Sequence, residues 1–160
     1  FFDFEVDLVV LEERYQRLSL ELHPDFFESS TESEKLHSEK ASAILNTAYK
    51  TIREPISRAC YLLNLFSKNQ KLDERSLPEK FLDEIFLLQE TLDELVDKGK
   101  KSELLTMRKD LRLKQNKIEK KIPSLFKKLG DQPNDLEILQ LLQTNLNAER
   151  YLRRLIERIT

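Results

Sequence analysis

Glycine is almost missing from this chain, with two in 160 residues. So few positions free to take left-handed or tight-turn geometry argue against a β-rich fold and for helices joined by short polar turns. Cysteine is as scarce. Cys60 stands alone, which excludes an internal disulfide and any multi-cysteine metal site, and it fits a reducing compartment. Set among Ala59, Leu62 and Leu63, it reads as a small core residue. The two histidines, His23 and His37, would need carboxylate help to hold zinc, at a spacing the chain does not offer. No apolar run nears the roughly 20 residues that span a bilayer, and no signal-type segment precedes the first helical pattern. The chain opens on Phe1 rather than Met, so an N-terminal segment is expected to be missing or trimmed. An excess of one charge sign is lacking too: the net charge of −2 argues against a general nucleic-acid binder. Nor does a nucleophile–base pair, a carboxylate dyad or a phosphate-cradling loop occur at usable spacing, so no enzymatic chemistry is expected.

What the chain does have is helical periodicity. Apolar residues make up 39% and charged residues 35%, the profile of helices with solvated faces. Leu8, Leu11, Tyr15, Leu18 and Leu22 recur at spacings of three and four, with Asp7 placed to cap them. Pro24 disfavours α geometry just before it, so this helix should end near Leu22 and leave His23-Pro24-Asp25 on a loop. After the polar run Ser29 to Ser33, a second helix is expected from about Glu34. It uses Leu36, Ala43, Leu45, Ala48, Tyr49 and Ile52, and ends at Arg53-Glu54-Pro55. Pro55 suits the first turn of a third helix through Ala59, Leu62, Leu63 and Phe66.

The polar stretch Ser67 to Ser76 is the best boundary, because it carries no sustained apolar stripe and runs into Leu77-Pro78. Three longer patterns follow. The first spans about Pro78 to Asp97, closing near Lys98-Gly99. The second runs from Lys101 to Leu129, with Leu104, Leu111, Ile118 and Leu125 at heptad spacing and Pro123 expected to kink or break it. The third, capped by Asn134 or Asp135, continues to Ile159. The expectation is therefore an all-α chain: a helical hairpin module over 1–66, a linker over 67–77, and an antiparallel three-helix bundle over 78–160.

On the helix after Pro78, Phe81, Ile85, Leu88, Leu92 and Leu95 already complete a seam. Leu82 and Phe86 lie about 100° round from it, and Leu87 adds to the surplus. On the last helix, Leu152, Leu155 and Ile159 define the core line, with Tyr151 about 100° off. An apolar surplus flanked by charge is the usual mark of a partner surface. The plainer alternative is a widened core face. The basic run Lys114 to Lys128 is interrupted by Glu119 and reads as a solvated face.

His-Pro-Asp alone is a weak signal, supplied by chance in on the order of one chain in a hundred of this length. Its flanks add to it: Tyr15, Arg17 and Leu18 before, then Asn46, Ala48, Tyr49, Ile52, Pro55 and Arg58 after. Together these residues resemble the J-domain of DnaJ-type co-chaperones. The resemblance implies that Asp25 presents a carboxylate to a basic group on a DnaK-class chaperone, with His23 and Pro24 fixing the loop and Arg14 and Arg17 adding electrostatic contact. Phe26 stands where lysine is usual and Glu21 replaces a frequent base, so the chaperone-facing surface is less positive than the J-domain pattern. Phe1-Phe2-Asp3-Phe4 reads as a remnant of the short first J-domain helix.

Past Arg58, the run Ala59-Cys60-Tyr61-Leu62-Leu63 departs from the Tyr-Asp ending of generic J-domains. With the bundle downstream, the chain resembles the HscB family, J-type co-chaperones of iron–sulfur cluster assembly. That likeness implies two partners: a DnaK/HscA-type ATPase and the cluster scaffold IscU. It also implies a scaffold surface of Leu82, Phe86 and Tyr151 within the charges Glu90, Glu94 and Arg150. Asp83 and Leu87 depart from the family pattern, which is apolar and acidic there. No cofactor is implied, since any cluster belongs to the scaffold. No nucleic-acid or membrane partner is expected, and the chain is expected to be a monomer. The site of action is bacterial cytoplasm or mitochondrial matrix, with the missing paired-cysteine extension favouring the former. Two alternatives stay open: a J-domain protein with another client, and a helical adaptor without chaperone activity.

Overall fold

A computed structural model describes residues 4–27 and 29–159. They form α1 (Leu8–Glu21), α2 (Glu32–Arg53), α3 (Pro55–Phe66), α4 (Phe81–Asp97), α5 (Lys101–Glu119), α6 (Ile122–Asp131) and α7 (Leu136–Arg158), with a 3₁₀ turn at Pro24–Phe27. No strand occurs among the described residues, so the fold is all-α as expected. Of the expected first-helix remnant, Phe1, Phe2 and Asp3 lie outside the described residues, and Phe4 is buried. The chain divides into two compact units, one of Phe4–Tyr61 and one that begins at Leu62 and holds α4 to α7.

In the first unit, the Asp7 carboxylate caps α1 by accepting from the Val9 and Val10 amides at 2.9 and 3.1 Å. Helix α2 starts two residues before the expected Glu34. Thr31 and Glu34 close a capping box, in which Thr31 Oγ1 accepts from the Glu34 amide and Glu34 Oε2 accepts from the Thr31 amide. α1 packs on α2, leaving Leu11, Tyr15, Leu18, Leu22, Leu45, Tyr49 and Ile52 half-buried. Leu8, Leu36, Ala43 and Ala48, expected on core faces, are exposed instead. Two packed helices bury only the stripe they share. Of these exposed residues, Ala43 and Ala48 line an open groove of about 530 Å³, with Ile44, Ile52 and Tyr61.

The second unit has the denser core. Phe81, Ile85 and Leu92 of α4 meet Met107 and Leu111 of α5 and Ala148, Leu152, Leu155 and Ile156 of α7, with Leu88, Leu95 and Ile159 packed at the margin. α4 ends in a Schellman closure: the Gly99 amide donates to the Val96 carbonyl at 3.0 Å and the Lys100 amide to that of Leu95 at 2.9 Å. Gly99 holds φ at +62°, a conformation that suits glycine.

The expected break at Pro123 falls slightly upstream, at Lys120–Lys121. Proline has no amide proton for the carbonyl four residues before it, so the ladder stops at Glu119 and restarts with Pro123 in the first turn of α6. The middle of the three expected arms is therefore two helices, and Gly130 sits inside the last turn of α6 rather than after it. Of the two candidate caps for α7, Asp135 serves, accepting from the Glu137 and Ile138 amides.

The end of the stretch read as a linker is bonded along α7. Gln140 accepts from the Asp73 amide at 2.8 Å and donates to the Asp73 carbonyl at 3.1 Å and to Ser76 Oγ at 2.7 Å. Asn147 donates to the Glu74 and Ser76 carbonyls at 3.0 and 2.9 Å.

Candidate functional site

Two surfaces carry the residues singled out by sequence, one on each unit. On the first, α1 ends at Leu22, and both Ser38 Oγ and Ser42 Oγ of α2 donate to the Leu22 carbonyl, at 2.9 and 2.7 Å. These two serines, one helical turn apart, hang the His-Pro-Asp turn from α2. Sequence reasoning passed over them because small polar residues within a helix are common and their partner is a main-chain atom.

Beyond that anchor, the His23 ring sits with Nδ1 3.5 Å from Asp25 Oδ2 and accepts from the Asp25 amide at 3.3 Å. The Asp25 side chain is 77% exposed, so its carboxylate is available to a partner while its backbone is tied to His23. Phe26 is exposed and meets the His23 ring edge-on, at 6.4 Å between centroids. Arg14 and Arg17 are exposed on α1, and Arg17 lies 3.8 Å from Glu21, the acidic residue noted as a departure.

The flanking residues make contacts of their own within the first unit. Tyr15 and Tyr49 stack at 3.9 Å between centroids, 17° from parallel, and the Tyr15 hydroxyl donates to Asn46 Oδ1 at 2.8 Å. The Tyr49 hydroxyl donates to Glu12. That bond draws the Glu12 carboxyl below its ordinary range and pushes the Tyr49 phenol up. Buried Arg58 donates to the Ile52 carbonyl and lies over the Phe4 ring at 4.8 Å, and its burial lowers its pKa.

On the second unit, Leu82, Phe86 and Leu87 are 45%, 60% and 64% exposed on α4, outside the packed seam. Glu90 and Glu94 are exposed farther along the helix, Glu94 paired with Lys98 at 2.9 Å. Tyr151 differs from the other two apolar candidates. It is half-buried, its ring edge-to-face with core Phe81 at 6.4 Å, so it joins α7 to α4 as well as bordering the surface. Arg150 beside it is exposed. A solvent-facing apolar ridge among carboxylates suits docking of an apolar patch rimmed by basic groups. No group of three or more His, Cys, Asp or Glu residues placed to hold a metal ion occurs among the described residues.

Residues 77–160, just over half the chain, match the family model described as the HSCB C-terminal oligomerisation domain. The chain belongs to the HscB family. Its relatives include the human iron–sulfur cluster co-chaperone protein HscB, 33% identical over 153 residues, a match covering 94% of this chain and 63% of the human protein. A co-chaperone protein HscB homolog from Shewanella is 39% identical over 87 residues, covering 54% of this chain and 48% of that protein. The crystal structure of human co-chaperone protein HscB superposes with a TM-score of 0.79 at 30% identity, covering 98% of this chain and 75% of that one. Chaperone HscB from Vibrio cholerae has the same fold, with a TM-score of 0.75 at 23% identity over 98% of this chain and 88% of its own. The chain thus spans under two thirds of the length of the human HscB protein it matches.

Proposed function

We propose that this HscB-family chain acts as a co-chaperone in iron–sulfur cluster assembly. The first unit engages a DnaK/HscA-type chaperone and stimulates its ATPase through His23, Pro24 and Asp25, with Arg14 and Arg17 assisting. The α4–α7 unit binds an IscU-type scaffold through Leu82, Phe86 and Tyr151, within the charges of Glu90, Glu94 and Arg150. The observation that carries this reading is one chain bearing both an exposed, anchored His-Pro-Asp turn and an exposed apolar ridge on α4. Joining two modest binding sites in one chain raises the effective concentration of client at the chaperone. The cluster is cargo of the scaffold, and the protein does no chemistry itself. Its place is the bacterial cytoplasm, or the mitochondrial matrix if the chain is eukaryotic.

Calorimetric titration with the IscU-type scaffold of the same organism tests the reading. Wild type binds at micromolar affinity, and the Leu82→Ala/Phe86→Ala variant, which alters only exposed side chains, stays folded and loses binding. Adding Tyr151→Ala abolishes what remains. Absence of binding by wild type leaves the J-domain reading standing and removes the cluster-assembly role.

A further inference from the structure

α7 carries a charge in its core. Leu142, Glu149 and Ile156 fall on one line at seven-residue spacing, and all three are at most 2% exposed. Glu149 Oε1 accepts from Gln115 Nε2 of α5 at 3.0 Å, and Gln115 is itself buried. Gln115 Oε1 in turn accepts from Arg112 at 3.2 Å. The other Glu149 oxygen lies 3.4 Å from the half-exposed Arg153 guanidinium, an ion pair without hydrogen-bond alignment. Glu119 of α5 feels this charge: burial first, and Glu149 second, push its carboxyl above the ordinary range.

A leucine at position 149 would continue the apolar line, so the choice of glutamate calls for a reason beyond core burial. Apolar contacts are non-directional and tolerate small rotations of one helix on another. A buried carboxylate does not: any rotation that parts it from Gln115 leaves Oε1 buried without a donor, and Arg153, carried on the same helix, turns with it and supplies no replacement. A single polar residue on an apolar seam fixes register in coiled coils for this reason.

We propose that Glu149 and Gln115 are positioning residues: their buried bond between α7 and α5 sets the rotation of α7 that seats Tyr151 on Phe81 and holds Arg150 in solvent. The functional half of this inference rests on the scaffold reading above. The pair shapes the scaffold surface without touching the scaffold.

The test compares wild type, Glu149→Gln and the Gln115→Leu/Glu149→Leu double variant by three measurements on the whole chain. These are the melting temperature, the nuclear Overhauser contact between the Tyr151 and Phe81 rings, and calorimetric affinity for the IscU-type scaffold. The double-leucine variant is expected to melt no lower than wild type, lose the ring contact and bind the scaffold about tenfold more weakly. Glu149→Gln, which keeps the bond to Gln115, is expected to retain both the contact and the affinity. A double-leucine variant that keeps the contact or the affinity overturns the proposal, and one that unfolds assigns the pair to stability and overturns it too. Loss of both readouts in Glu149→Gln does the same. Should wild type itself fail to bind the scaffold, the scaffold reading falls, while the ring contact still decides whether the pair sets α7.

Discussion

At the scale of single residues, the Glu12–Tyr49 bond links α1 to α2 beneath the stacked tyrosines. It needs an ionised carboxylate and a protonated phenol, and each partner's pKa moves so as to preserve that combination. The depressed carboxyl contributes stability above its ordinary range, lost as pH falls through its folded value. The raised phenol contributes stability below its ordinary value near 10, lost as pH rises through the folded one. Tyr49→Phe is therefore expected to return the Glu12 carboxyl toward its ordinary value in a carbon-detected NMR titration. The variant should melt lower than wild type near pH 7, with the difference vanishing in acid once Glu12 is protonated. An unchanged Glu12 titration would show that the bond does not form in solution.

Elements are joined here by small polar contacts. The His-Pro-Asp turn hangs from the Leu22 carbonyl, which takes both the Ser38 and Ser42 hydroxyls. Replacing both with alanine removes the donors to a partly buried carbonyl, at a cost of about 1–3 kcal/mol. We expect Ser38→Ala/Ser42→Ala to stay helical and to lower stimulation of the chaperone ATPase severalfold. Faster amide exchange at His23 and Asp25 should accompany that loss. Normal stimulation with a lowered melting temperature would make the serines purely structural. Caps were readable from the chain at Asp7 and at Gly99, where side-chain chemistry and backbone freedom act locally. Thr31-x-x-Glu34 carries the same kind of signal, and this capping box starts α2 at Glu32, two residues before the Glu34 that periodicity points to.

At the scale of the whole molecule, the two proposed surfaces lie on different compact units. Their loss should therefore be separable. Asp25→Asn is expected to abolish ATPase stimulation while leaving scaffold affinity within about twofold, since independent sites behave additively. Leu82→Ala/Phe86→Ala should do the reverse when stimulation is measured without scaffold. Steady-state ATPase assays beside calorimetry read both, and a variant that loses both functions while still folded would refute their independence.

The helical class is legible in the chain, because period and composition act through local geometry, and motif and spacing mark the His-Pro-Asp turn and the apolar surplus on α4. Which apolar residues are covered is set by the packing of one helix on another. Leu8, Leu36, Ala43 and Ala48 follow the helical period yet stay exposed, whereas Tyr151, off the core line, rests on Phe81. Tertiary packing also decides the partners of polar groups, bringing Gln140 to Asp73 and Gln115 to Glu149. Periodicity states which face of a helix is apolar. What that face meets, and which distant atom satisfies a buried donor, depends on contacts between segments far apart in the chain, and no local pattern carries them.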